Sequence, residues 1–239
     1  MEQHNTFVDE ECIEQSEVLK DADIREQLFD YLEETFGKIR ILEEKRIARS
    51  RADVVMVMEQ AVAGIEIKSD ADTYTRLSRQ VKDYDLYYDY NYVVVGSTHA
   101  LHIEEHVPEY WGIVTVERMD REKLDFYMLR RAKTNPQQKL FLKLSLLWRP
   151  ELVHIQELNH MPKYQQMSKQ FVLEKIFKKV PKELLDEQIS SELFERDYNS
   201  IAQKINTYRE EHHQKKHRSR KRKSSRVKLE DGTYHAYKN

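Results

Sequence analysis

The chain has 239 residues, 39% of them apolar and 34% charged, with five Gly, five Pro and one Cys. That length buries a real core, as one domain with an appendage or as two small domains, and the scarcity of breakers beside many Glu, Lys, Leu and Gln favours helix outside any sheet. The lone Cys12 excludes an internal disulfide framework; the opening residues lack a secretion signal; and the most apolar run, residues 140–148, falls short of the roughly 18 residues a membrane helix needs, so a soluble, cytoplasmic protein is expected.

The formal net charge of −2 hides an asymmetry: residues 215–239 hold ten Lys and Arg against Glu230 and Asp231, a net of +8, which leaves −10 on residues 1–214. An acidic body carries a basic tail. Residues 1–20 read as a flexible acidic arm. A helix then opens at Asp21 or Asp23, with Ile24, Leu28, Phe29, Tyr31 and Leu32 as its apolar stripe and Gly37 as its stop. Residues 38–47 alternate as a strand, residues 53–58 are a β-branched-rich strand, and residues 62–68 a third, together an antiparallel meander. Asp70 or Asp72 offers a helix N-cap, and from Thr73 a helix fits Leu77, Val81, Tyr84 and Tyr88. Residues 92–96 read as a fully buried strand, followed by a short helix at 99–106 and a last strand at 111–116. Beyond Asp120 the pattern is helical (140–147, 151–158, 167–177 and 182–205), punctuated by Pro136, Pro150, Pro162 and Pro181, and residues 212–226 form a polybasic low-complexity tail.

In a strand, residues two apart share a face, so Glu66 and Lys68 point one way while Ile65 and Ile67 point the other. A tight hairpin brings Asp53 opposite that pair. Two acids and a lysine among Val, Met and Ile are costly to bury unless their charge is compensated. Mg²⁺ or Mn²⁺, which takes oxygen ligands and only one or two protein carboxylates, would do so. Asp53, Glu66 and the carbonyl of Ile67 are then the metal ligands, and Lys68 orients the attacking water or offsets charge at phosphorus. A further carboxylate from the first helix (Glu26, Glu33 or Glu34) or first strand (Glu43 or Glu44) would support the metal; the sequence leaves that choice open. Arg76, Gln80 and Tyr84, spaced i, i+4, i+8, form a polar stripe on the next helix. Gln80 and Tyr84 either contact substrate, orient Lys68, or, blandly, are a solvated glutamine and a core tyrosine. Arg46, Arg49, Arg51, Arg76 and Arg79 add positive charge nearby.

Asp53, the Glu66-Ile67-Lys68 triplet and Gln80-x-x-x-Tyr84 resemble the PD-(D/E)XK nuclease superfamily, with the last element similar to its RecB-type branch. Arg51-Ala52-Asp53, Glu66-Ile67-Lys68-Ser69-Asp70, Asp72-Thr73, Arg76-Leu77, Pro108-x-x-Trp111-Gly112-Ile113 and residues 146–152 (Leu-Leu-Trp-Arg-Pro-Glu-Leu) are similar to a family of small bacterial and phage proteins within it, over residues 24–196. Ala52 stands where the superfamily pattern has Pro, a backbone position that leaves the ligand in place. The resemblance implies a restriction-endonuclease-like α/β core, a central mixed sheet flanked by helices, over residues 21–120, followed by a helical region at 121–210 and a basic tail at 211–239. It implies metal ligands at Asp53 and Glu66, a catalytic Lys68, and hydrolysis of DNA phosphodiester bonds in repair, phage biology or defence. The alternative is a non-cleaving nucleic-acid-binding or protein-interaction module on the same fold, with a homo-oligomer or protein partner open.

His99, His102 and His106 match no zinc spacing and read as loop histidines, as do His212, His213 and His217. No P-loop, Gly-rich dinucleotide motif or Gly-x-Ser-x-Gly elbow is present, which disfavours NTP hydrolysis, redox and serine-hydrolase chemistry. The tail suits salt-sensitive nucleic-acid binding or, equally, solubility.

Overall fold

The apolar stripe of Ile24, Leu28 and Leu32 forms a helix packed on the sheet that the following β-branched runs build in a computed structural model, which describes residues 19–119, 123–196, 227–228 and 234–235. Helix α1 (Asp21–Phe36) ends at Gly37, whose φ of 75° lies in the left-handed region that glycine enters without steric cost. Strands β1 (Arg40–Ile47), β2 (Ser50–Val57) and β3 (Val62–Lys68) follow as the antiparallel meander. A 3₁₀ turn (Tyr74–Arg76) leads into α2 (Leu77–Tyr87), which carries the chain over to β4 (Tyr90–Gly96), parallel to β3. After α3 (Ser97–Ala100) and a 3₁₀ turn (Ile103–Glu105), β5 (Gly112–Arg118) adds in parallel to β4. The result is a mixed six-stranded sheet in sequential order.

Each face of this sheet has its own core. α1 covers one, packing Ile24, Leu28 and Leu32 over Val54, Met56, Ile65, Ile67, Val94 and Val114. The other lies under α2 and the C-terminal helices α4 (Leu140–Ser145), α5 (Arg149–Leu158), α6 (Lys169–Lys179) and α7 (Lys182–Phe194), where Leu77, Val81, Leu144, Leu152, Ile176 and Ile189 meet Val55, Val57, Val93 and Val95. Because both faces are covered, every residue of β3 is buried, Glu66 and Lys68 included.

The sheet extends past the expected boundary at residue 120: Leu124–Arg130 is β6, antiparallel to β5 at the sheet's edge. Its alternation is hidden because the outward residues Tyr127 and Leu129 are themselves apolar. The helices after it share the core of the sheet's second face, so residues up to Phe194 make one unit. Lys143 of α4, fully buried, ties this region to the residue preceding β4 through a 2.6 Å contact to Asp89 Oδ2, and to α7 through another of 2.6 Å to Asp186 Oδ1. Asp85 of α2 does the same elsewhere, accepting from Trp111 Nε1 at 2.8 Å, Tyr110 Oη at 2.7 Å and Asn91 Nδ2 at 3.1 Å.

Neither aspartate expected to cap α2 does so. Asp70 accepts the Thr98 N–H and hydroxyl at the start of α3, and Asp72 closes a turn on the Ser69 N–H and hydroxyl. From Glu195 the chain is a separate unit, in which Val227–Lys228 pairs with Tyr234–His235. The acidic arm with Cys12 and most of the basic tail, including His212, His213 and His217, lie outside the described residues. No helix among the described residues is long and apolar enough to cross a membrane.

Candidate functional site

The β2–β3 ladder runs from Val57↔Val62 to Val54↔Ile65 and goes no further, whereas β3 stays paired with β4 as far as Lys68. Where the strands part, the Ile67 N–H is left without a ladder acceptor and donates instead to Asp53 Oδ2 at 2.9 Å. A carboxylate of β2 is thereby fixed beside the end of β3. Glu66 and Lys68 share the face opposite Ile65 and Ile67, as their spacing dictates. Both are nearly sealed from solvent, at 1% and 3% exposure.

Burial at that depth requires partners, and they come from β3 and α2. Glu66 Oε1 receives Lys68 Nζ at 2.6 Å and Gln80 Nε2; Glu66 Oε2 receives the Tyr84 hydroxyl at 2.7 Å. The same hydroxyl oxygen accepts the Asp53 N–H at 3.2 Å, so one tyrosine joins the two acid-bearing strands. Tyr84 reaches this far because Gly64 lies beneath it: a Cβ at that position would overlap the rings of Tyr88 and Tyr84. The ring of Tyr84 is core, and its hydroxyl reaches Glu66 rather than Lys68. Gln80 is buried rather than solvated.

Burial and the neighbouring Glu66 push the Asp53 carboxyl up to about 7, opposed by the Ile67 N–H, with Asp21 adding to the rise and Lys68 countering it. Burial and the same acids drive the Tyr84 phenol well above its ordinary value, so it remains a donor to Glu66 across the physiological range.

Asp53, Glu66 and Lys68 floor a cavity of about 490 Å³. Ile67, Asp72 and Gln80 line its wall, and Arg46, Arg49, Arg51, Arg76 and Arg79 its exposed rim. Arg76 sits in the 3₁₀ turn before α2, whereas Gln80 and Tyr84 are one helical step apart within it. Arg51 pairs with Glu44 at 3.3 Å; Glu44 lies outside the cavity lining and has a left-handed φ of 52° where the β1–β2 register skips from Glu43↔Val54 to Lys45↔Ala52. Glu26, Glu33 and Glu34 are exposed on α1 and line nothing here, and Glu43 pairs with Arg25 at 3.5 Å.

The acid that α1 does bring is Asp21, which sequence reasoning treated only as a helix start. It lines the cavity, holds Arg25 at 2.6 Å, and keeps Oδ1 buried without a hydrogen bond. Arg25 in turn donates to the Asp53 carbonyl at 3.1 Å. The i, i+4 pair Asp21–Arg25 was visible in the sequence; its approach to β2 was not. His99 and His106 flank the ring of Tyr74 at 4.8 and 4.1 Å, away from the floor. Among the described residues no group of three or more His, Cys, Asp or Glu is placed to hold a metal ion, so a cation at this floor would rest on two carboxylates, a carbonyl and water, as Mg²⁺ commonly does.

No curated protein and no solved structure matches the chain. A family model does match, over residues 14–224, and on that match the chain belongs to the bacteriophage P4 protein cII family.

Proposed function

We propose that this chain is a divalent-metal-dependent nuclease with a restriction-endonuclease-like core, hydrolysing DNA phosphodiester bonds. The observation that carries the reading is the convergence of Asp53, Glu66 and Lys68 at the floor of one arginine-rimmed cavity. The donor set fits Mg²⁺ or Mn²⁺: two hard carboxylates close enough that Glu66 raises the proton affinity of Asp53, and the backbone of Ile67 beside them. Asp53, Glu66 and the Ile67 carbonyl would hold the cation. When bound, it supplies a polarised phosphoryl oxygen and a water of lowered pKa.

The chain's own groups do the positioning. Lys68, held by Glu66 at 2.6 Å, places an ammonium beside the floor, where it offsets negative charge growing on phosphorus or orients the attacking water. Gln80 and Tyr84 fix Glu66 in one rotamer, so its oxygens need no reorganisation as charge develops. Tyr84 keeps its proton and so remains a donor to Glu66 while its oxygen accepts the Asp53 N–H. Asp53 loses its proton around pH 7, or lower once a cation offsets the repulsion from Glu66.

The arginine rim by itself would also suit the second reading, a module that binds nucleic acid without cutting it. The two part on one experiment: purified protein with linear, circular, single-stranded and branched DNA, in Mg²⁺, Mn²⁺ or chelator, beside Asp53→Ala. Metal-dependent cutting lost in the variant supports the nuclease. Binding that survives in the variant, with no turnover on any DNA, replaces it with the binding module.

A further inference from the structure

The cavity rim holds five arginines, from the end of β1, the β1–β2 turn, the start of β2, the 3₁₀ turn and α2. Arg51 has Glu44 as a partner. Arg46, Arg49, Arg76 and Arg79 are exposed and, among the described residues, have no carboxylate partner. Four unneutralised guanidinium groups at one rim are unexpected in a body whose first 214 residues sum to −10. Charge at this density repels itself and is retained where an anion arrives to offset it.

The five do not form scattered surface charge, because the turn that carries Arg49 is fastened to the helix that carries Arg79. Ser50 Oγ donates to Asp83 Oδ2 at 2.6 Å and the Ala48 N–H donates to the Tyr87 hydroxyl at 3.3 Å. Asp83 lies one helical turn after Arg79. Arg46 and Arg51 are direct partners across the β1–β2 ladder. Hairpin and helix therefore present their arginines as one seam, which ends at Asp53 and Glu66. The hairpin also carries two of the three non-glycine residues with positive φ among those described, Glu44 and Ala48, a backbone cost tolerated beside this rim.

From this we infer that the seam formed by Arg46, Arg49, Arg51, Arg76 and Arg79 is a phosphate track that binds several consecutive phosphates of a polynucleotide. The cavity thus takes a strand and not a single nucleotide or free phosphate. Guanidinium groups suit the role because their planar forks bind phosphate oxygens bidentately. The inference rests on the nuclease reading for what happens at the floor, but the track binds with or without turnover.

The test is fluorescence anisotropy of a 20-nucleotide single-stranded DNA with the full chain, in Ca²⁺ or EDTA so that nothing is cut, across NaCl concentrations. In Arg49→Ala/Arg79→Ala, the slope of log K against log salt should fall by about 1.4, or about 0.7 for each phosphate no longer neutralised. Lys178→Ala/Lys179→Ala on α6, which removes the same charge away from the site, should leave the slope unchanged. Thymidine monophosphate should compete poorly, and a 12-mer well. An unaltered slope in the arginine variant, an equal fall in the lysine control, or full competition by the mononucleotide overturns the track. Outcomes for the two ideas separate: metal-dependent cutting with an unaltered slope sinks the track and leaves the nuclease, whereas a reduced slope with no cutting leaves the track and sinks the nuclease.

Discussion

Replacing Asp53 by Asn should stabilise the metal-free protein at alkaline pH and do nothing for it at acid pH. Folding moves this carboxyl from 3.8 to about 7. At about 1.4 kcal/mol per tenfold in the proton equilibrium, that is roughly 4 kcal/mol of penalty once Asp53 is charged. The sign follows from the folded state binding the proton more tightly than the unfolded chain: the associated stability is fully present below pH 3.8, declines between there and 7, and is gone above 7. Asparagine keeps an oxygen to accept the Ile67 N–H and carries no charge. Asp53→Asn should therefore gain about 2–4 kcal/mol over wild type at pH 8 in EDTA, a rise in Tm of roughly 4–15 °C for a chain of this size. The assay is a series of thermal melts from pH 4 to pH 9, with and without Mg²⁺. Mg²⁺ should raise the wild-type Tm at pH 8 and leave the variant nearly unmoved. A variant less stable than wild type at pH 8, or a gain of equal size at pH 4, would refute the assignment of the strain to the Asp53 charge.

Three further outcomes are expected. Tyr84→Phe keeps the ring over Gly64 but deprives Glu66 of a donor and the Asp53 N–H of its acceptor, which should cost about 1–3 kcal/mol in urea unfolding and reduce metal-dependent cutting. A variant as stable as wild type would show that the hydroxyl carries no weight. Lys143→Met leaves Asp89 and Asp186 facing each other without their cation, and should destabilise by about 3–5 kcal/mol; Asp186→Asn alone should cost less, because Asp89 still pairs with Lys143. Ala48→Gly relieves a φ of 42° in the two-residue turn between Ile47 and Ser50 and should stabilise by about 0.5–1 kcal/mol in the same measurement; a loss would mean that the turn costs Ala48 nothing.

The separation between what the sequence specified and what the fold added follows from the range of the forces involved. Helix α1, the meander and α2 were legible because the stripe Ile24–Leu28–Leu32, the period-two spacing of Glu66 and Lys68 and the i, i+4 spacing of Gln80 and Tyr84 are local rules of backbone geometry. Strand β6 was missed because its alternation is apolar on both faces, a pattern that only an edge position explains. The helical region was set apart from the α/β core at residue 120 because nothing local tells that Leu144, Ile176 and Ile189 pack under the same strands as Leu77 and Val81. At the site, the sequence set which acids and lysine share a strand face. Tertiary structure alone decided that the β2–β3 ladder stops at Val54 and so frees the Ile67 N–H for Asp53, that Tyr84 spans the two acid-bearing strands, and that Asp21 rather than Glu26, Glu33 or Glu34 faces the cavity. It also decided the charge state of Asp53, because desolvation and the approach of Glu66 depend on through-space distance, which residue spacing along the chain does not encode.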